Sequence, residues 1–414
     1  MLDTLLAGLV EHGTLTFVWP NGKSSVYGAG GPRATVKLHD WWTYFRIGLK
    51  PELAFGEAYV DGRLTVEEGT IADVLEIMIS NMGSNRLLWL VRLERLWRRC
   101  SRSIAQFNPA SRARKNVAHH YDLSGALYDL FLDADRQYSC AYFNEPKMTL
   151  DAAQAAKKRH IAAKLKFDRP GLSVLDIGSG WGGLGLELAR EAKADVLGIT
   201  LSTEQLTVAN QRAVAAGLAE KCRFELKDYR AVEGSFDRIV SVGMFEHVGV
   251  AFFDAFFLKI HELLSPDGVA LLHTIGRADG PGATNPWIAK YIFPGGYTPA
   301  LSEVMASVER CGLYVTDVEV LRLHYAETLK EWRARFRKNR DKAAALYNER
   351  FCRMWEYYLA GAEMSFRYDH GVVFQIQLAK RIETLPLTRD YMIESERAMR
   401  FAGAGRSPRA HEAA

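Results

Sequence analysis

From Ser173 onward the chain alternates short, almost wholly apolar runs with longer helical ones. SVLDIG is followed by GGLGLELAREA, DVLGIT by TEQLTVANQRAVAAG, and CRFELKD and FDRIVSVG by FFDAFFLKIHELL, which Ser-Pro-Asp-Gly should stop ahead of VALLHTIG. Apolar strands that do not alternate with polar residues must be covered on both faces. Strand–helix repetition with such strands predicts a parallel, doubly wound sheet of the α/β class. The loop after the first of these strands, VLDIGSGWGGLG, places Gly178, Gly180 and Gly183 at G-x-G-x-x-G spacing between a strand and a helix. Glycines there permit a tight turn and close approach of a nucleotide to the backbone.

That spacing alone does not choose between NAD and S-adenosylmethionine (SAM). An NAD site wants an acid at the tip of the second strand for the ribose hydroxyls. Here the tip is Ile199-Thr200-Leu201-Ser202, with no acid. Asp176 lies just before the glycines, and Asp228-Tyr229-Arg230 follows the third strand, offering an acceptor and an aromatic for an adenine. The pattern favours SAM.

Ligands of open α/β sheets sit beyond the carboxyl ends of the strands. Glu246 and His247 follow the fourth strand, His273 and Ile275 end the fifth, and Tyr325 follows the sixth. Taken singly, His273 reads as a packed core histidine, because Leu271 and Ile275 share its strand face. Glu246 in an apolar run is harder to dismiss, since a buried carboxylate needs partners. Cys140, in RQYSCAYFN, could be a nucleophile, a metal ligand, a core residue or a pocket wall. The chain has five cysteines in 414 residues, with no CxxC spacing. The N-terminal MLDTLLAGLVEHG carries Asp3 and lacks a basic stretch, so no secretory signal is expected. Together these predict reduced thiols in a cytoplasm, which removes a disulfide and weakens a zinc site; no metal is expected.

Residues 1–102 read as a small α+β unit. TLTFVWPNGKSSVYG suggests a hairpin turning at Asn21-Gly22, and IADVLEIMIS a helix. NRLLWLVRLERLWRRC then places Trp89, Leu93, Leu96 and Trp97 on one helical side and Arg92, Arg95, Arg99 and Arg102 on another. Arg86 to Lys115 holds nine basic residues against Glu94, and Lys330 to Lys342 seven against Glu331 and Asp341. Such density suggests an anionic partner, lipid headgroups or nucleic acid, or a solvated helix face. Residues 103–115 read as a linker, 116–400 as the catalytic domain with a helix-rich end from about 327, and 401–414 as a disordered tail. No apolar run reaches the roughly 18 to 20 residues needed to span a bilayer.

QYSCAYF, LDIGSGWGGL, GITLSTEQ, KDYR, SVGMFEHVG, LLHTIG, NPWIAKYIFPGGYTP and HYAETLKEW, in this order, resemble the cyclopropane fatty acid synthase family. The match runs from about Lys115 to Gln377, and the first 100 residues resemble the accessory domain of its phospholipid-acting members. One departure is Ser179, where the family's glycine loop usually has cysteine. The resemblance implies a class I SAM-methyltransferase (Rossmann-like) domain with an N-terminal α+β accessory domain and a helical C-terminal extension. It implies methylene transfer from SAM to a cis double bond of an unsaturated phospholipid chain, with bound bicarbonate as the base. Cys140, Glu246, His273, Tyr325 and the backbone of Ile275 are implied around that ion. Tyr325 and Phe245 are expected to face a carbocation. Tyr138, Ser139, Gly178, Gly180, Thr200, Leu201, Gln205, Tyr229 and Arg230 are implied at the cofactor, and NPWIAKYIFPGG as a cap over the acyl tunnel.

The expected setting is cytoplasmic, peripheral on the inner face of the membrane, docked through the Trp89/Trp97 helix. The resemblance leaves room for a homodimer. Three alternatives stand beside this reading: a related enzyme giving a methyl- or methylene-branched chain, a non-catalytic lipid-binding protein, and an RNA methyltransferase. No RNA-binding module is recognisable, so no nucleic-acid partner is expected.

Overall fold

The computed structural model describes residues 2–82 and 124–404. The Trp89/Trp97 helix, the 103–115 linker and residues 405–414 lie outside them. Four strands come from the accessory domain: β1 (His12–Val18), β2 (Ser24–Tyr27), β3 (Ala29–Leu38) and β4 (Leu64–Glu68), in the order β2-β1-β3-β4. β1 and β2 pair antiparallel about the expected turn, where Gly22 takes φ +79. The helix Ile71–Ser80 starts on a capping box, with Thr70 and Asp73 each satisfying the other's backbone N–H, and buries Ile71, Val74, Leu75 and Ile77.

The catalytic sheet has seven strands, ordered β10-β11-β9-β8-β5-β6-β7. These are β5 (Ser173–Ile177), β6 (Asp195–Thr200), β7 (Cys222–Leu226), β8 (Phe236–Val242), β9 (Leu264–Arg277), β10 (Tyr314–Leu321) and β11 (Gly371–Ala379). β5 to β9 are parallel, as expected; β11 runs antiparallel to both neighbours, so the sheet is mixed. β11 lies inside the stretch read as helix-rich. Its sequence, GVVFQIQLA, places Gln375 and Gln377 among the buried residues that run from Val373 to Ala379, which mutes the apolar signal. The Ser-Pro-Asp-Gly stop does end the helix Phe253–Leu263, but β9 begins at once and includes it. The last helix, Asp390–Ala404, extends into the stretch from 401 that was expected to be disordered.

The accessory domain is bound to the catalytic one chiefly through the helix Glu349–Tyr368, whose Ala360 and Met364 join the accessory core. Tyr368 donates to Glu76 at 2.8 Å, Arg353 to the Val60 carbonyl at 2.9 Å, and Arg350 pairs with Asp61 at 2.9 Å. A second contact centres on buried Glu57 in the helix Pro51–Val60. It accepts from Arg46, from Lys290 Nζ at 2.6 Å and from Tyr291 Oη at 2.9 Å. Beside it, a Cβ on Gly56 would lie 2.6 Å from Trp287, so only glycine lets this helix approach so closely.

Four of the seven basic residues of the second cluster are paired, while Arg337, Lys338 and Lys342 are exposed. Arg333 pairs with Glu363, Arg335 with Asp151, Arg340 with Glu349 and Glu356, and Lys330 with Glu327. Among the described residues, no helix is long and apolar enough to cross a membrane.

Burial raises the Glu57 carboxyl, but the bonds from Lys290, Tyr291 and Arg46 outweigh it and hold the pKa below the ordinary value. A depressed carboxylate stabilises above its unfolded pKa and loses that contribution as pH falls through its folded one. Glu57→Ala is therefore expected to lower the melting temperature by a few degrees at pH 7, with the gap to wild type closing as pH falls below 4. An unchanged gap across that range would remove the contact from the account.

Candidate active site

The β5 loop builds the first half of the site. Gly178 and Gly180 take φ +82 and +54, and a Cβ on Gly180 would meet nothing within 4 Å, because it would point into open pocket. Opposite, at the tip of β6, Thr200 Oγ1 donates to Gln205 Oε1 at 2.9 Å, while Ser202 caps the helix Thr203–Ala215 by accepting from Gln205 N–H. After β7, Asp228 takes a two-pronged ion pair from Arg230, at 2.8 and 2.6 Å. The Arg230 guanidinium also lies 5.4 Å from the Tyr229 ring centre.

The structure brings Tyr138, Ser139, Gly178, Gly180, Thr200, Leu201, Gln205, Tyr229 and Arg230 to one pocket, at the point where the strand order reverses beside β5. Asp176 lies there too. It is buried, with Oδ2 unpartnered among the described residues and its pKa pushed up by burial to about 7.

A second cavity, of about 260 Å³, adjoins the first. Cys140, Glu246, His273, Ile275 and Tyr325 all line it. Tyr138, Ser139, Gly243 and His247 line both cavities, and so mark the window between them. The remaining walls are largely apolar. Trp287, Ile288 and Phe293 come from the cap segment, and Tyr357, Tyr358, Gly361 and Phe366 from the helix Glu349–Tyr368. Tyr291, also expected at the tunnel, turns instead to Glu57. Leu75 and Ile79 reach the cavity from the accessory domain, a contribution the sequence did not suggest.

The polar groups of this cavity are specific in their arrangement. Glu246 sits in a 3-10 turn after β8. Its Oε1 accepts the Ile275 N–H at 2.6 Å, and its Oε2 is buried with no hydrogen-bond partner among the described residues. Burial pushes its pKa up to about 7, against the lowering effects of that N–H, of its own backbone N–H and of the nearby Thr274 hydroxyl. The Ile275 amide hydrogen is therefore engaged by Glu246, and orients the carboxylate.

His273 is fully buried, and burial drives its pKa well below the ordinary value, so the ring is neutral. Gln375 Nε2 donates to its Nδ1 at 3.1 Å, which leaves the ring hydrogen on Nε2. Cys140 is buried, its thiol pushed up by burial and donating to the Ala141 carbonyl at 3.3 Å. A thiol so held is neither a thiolate nor activated by a base. Phe245 does not face the cavity: it packs in the sheet core, stacked on Phe253 at 4.4 Å. Tyr325 does, with Phe366 4.8 Å from its ring centre.

Two further residues escaped the sequence reading. Gln375 fixes the His273 tautomer. Lys157 is buried beneath the window and donates to Ser139 Oγ and Gln137 Oε1, both at 2.7 Å; burial lowers its pKa to about 8. The signal for it was present in LDAAQAAKKRHIAAKL, where Lys157 shares the inward stripe with Ala153, Ala156 and Ile161.

A family model described as mycolic acid cyclopropane synthetase matches residues 109–376, and a model of a domain of unknown function matches residues 1–86. The chain belongs to the cyclopropane synthetase family. It is 36% identical to a tuberculostearic acid methyltransferase of Mycobacterium tuberculosis, over 91% of this chain and 90% of the relative. It is 34% identical to the cyclopropane-fatty-acyl-phospholipid synthase of Escherichia coli, over 86% and 90%. A mycolic acid cyclopropane synthase solved in complex with SAH and CTAB superposes with a TM-score of 0.61 at 36% identity, covering 66% of this chain and 99% of that one. The chain is thus a SAM-dependent methyltransferase with the class I fold.

Two outcomes test the division of the site. Gly180→Val should abolish SAM binding by calorimetry in a folded protein, since its side chain would enter the nucleotide's space. Gly361→Leu should leave SAM affinity within about twofold, yet cut turnover on long-chain substrate about tenfold or more, because a Gly361 Cβ meets only Leu75, at 3.9 Å, and anything longer intrudes on the cavity. Normal turnover in Gly361→Leu would show that the chain goes elsewhere.

Proposed function

We propose that this protein transfers a methylene from SAM across a cis double bond of an unsaturated phospholipid acyl chain and closes a cyclopropane ring. The observation that carries this reading is an apolar, aromatic-walled cavity that opens on the cofactor pocket and holds one buried carboxylate with an unpartnered oxygen. An isolated alkene is a weak nucleophile, and needs its electrophile held close and water kept out.

When bound, SAM supplies an electrophilic methyl on a sulfonium. The alkene π pair forms a bond to that carbon as the sulfur–carbon bond breaks, leaving SAH and a positive charge on the chain. Loss of a proton from the new methyl gives the electron pair that closes the ring. Aromatic faces of Tyr325 and Phe293 suit a cation in transit.

The residues of the cavity fit a small oxyanion. His273 Nε2 and Tyr325 offer hydrogens to it, the Cys140 thiol can do so by turning from the Ala141 carbonyl, and Glu246 Oε2 can accept one. Bicarbonate bound there would supply the base for the methyl proton. Two anions side by side require a shared proton, which accords with a Glu246 pKa near 7. A strong side-chain base, which would itself be methylated, is missing from the walls described above.

A second ending is favoured by the relative named as a tuberculostearic acid methyltransferase: the same alkylation, finished by loss of a proton as a methylene-branched or methylated alkene without a ring. Mass spectrometry of cis-unsaturated phospholipid incubated with SAM separates the two. A ring adds one CH₂ and resists catalytic hydrogenation; a methylene branch adds the same mass and takes up hydrogen. No gain of mass in dispersed lipid would overturn the proposal.

Glu246→Gln is expected to cut turnover about 10²-fold or more while SAM binding survives. Cys140→Ser should keep activity within about tenfold, since a hydroxyl still donates. Wild type in carbonate-free buffer should slow, and recover on adding bicarbonate. Full activity in that buffer would rule the ion out.

A further inference from the structure

The accessory helix Trp41–Leu49 has two apolar faces. Asp40 caps it, accepting from Thr43 N–H at 2.7 Å, and Thr43 and Ile47 point into the domain. The other face is open. Trp41, Trp42, Phe45 and Leu49 are 46, 65, 53 and 69% exposed. At about 100° per residue these four fall within a single sector of about 100°. Scattered surface hydrophobics need no explanation, but four large ones side by side on one helix mark an interaction face.

Its chemistry and its position narrow the partner. Tryptophans clustered with basic residues are the composition that settles at a membrane–water boundary, rings at headgroup level. Lys50 is exposed at the end of this helix, and Arg46 and Lys290 are 40 and 54% exposed nearby. The adjacent acids are engaged: Asp40 in capping and with Arg63 at 3.9 Å, Glu57 buried between Arg46 and Lys290. Through Arg46 and Glu57 the helix is joined directly to Lys290 and Tyr291 of the segment that caps the acyl cavity. The open face thus belongs to the same bonded unit as the cavity's cap.

We propose that the Trp41/Trp42/Phe45/Leu49 face docks this protein on an anionic phospholipid bilayer, beside the cavity that receives the acyl chain. The proposal rests on the reading of the substrate as a membrane phospholipid.

The test uses the full chain and vesicles of phosphatidylglycerol and phosphatidylcholine carrying cis-unsaturated chains. Trp42→Ser with Leu49→Ser, changing the two most exposed residues of the face, should weaken flotation with these vesicles about tenfold or more. It should keep normal melting and normal turnover on detergent-dispersed lipid. Lys50→Glu should weaken binding at low salt only, since salt screens the attraction.

Equal vesicle binding by wild type and the double variant overturns the proposal. So does a change of oligomeric state in the double variant by light scattering, which would assign the face to a second copy of the chain. If wild type modifies no dispersed phospholipid, the functional reading fails separately, and flotation still decides whether this face docks.

Discussion

A carboxylate is expensive to bury, and Glu246 is buried with a hydrogen-bond partner on only one of its two oxygens among the described residues. The rest of the site is arranged around that fact. The carboxyl end of β8 delivers Glu246, and the adjacent end of β9 supplies the Ile275 N–H that orients it. The 3-10 turn also delivers His247 to the window between the two cavities. The Glu246 backbone carbonyl in turn accepts the Tyr297 N–H at 2.8 Å, tying the cap segment to the same turn. The parallel sheet thus fixes both where the cofactor lies and where a proton can be parked, within one row of strand ends.

The accessory domain is part of this arrangement. Its helix Ile71–Ser80 lends Leu75 and Ile79 to the cavity wall, while Glu57 clamps the cap from outside. The accessory core is continuous with Ala360 and Met364 of the helix that supplies Tyr358 and Gly361 to the cavity. Disturbing the accessory domain should therefore be felt at the acyl chain before it is felt at SAM.

Much of this was legible in the sequence where the signal is local. The glycine loop, the Asn21-Gly22 hairpin and the helix from Ile71 depend on residues a few positions apart, and all three stand as read. What was missed depends on distant partners. Gln375 meets His273 across 102 residues, and Lys290 meets Glu57 across 233. Phe245 was expected to face the carbocation with Tyr325, yet the 3-10 turn that sends Glu246 to the cavity sends its neighbour Phe245 to the core. β11 was hidden by its two buried glutamines. The Trp89/Trp97 helix expected at the membrane lies outside the described residues, and the open face on Trp41–Leu49 went unread because WWTYFRIGL is apolar nearly all round.

The central claim is that the site alkylates an alkene and then removes a proton from the transferred carbon. Supplying SAM with a fully deuterated methyl tests it directly, by mass spectrometry of the lipid product. The account predicts a product that has lost one deuterium of the transferred methyl to the medium. A product retaining the whole deuterated methyl would contradict it.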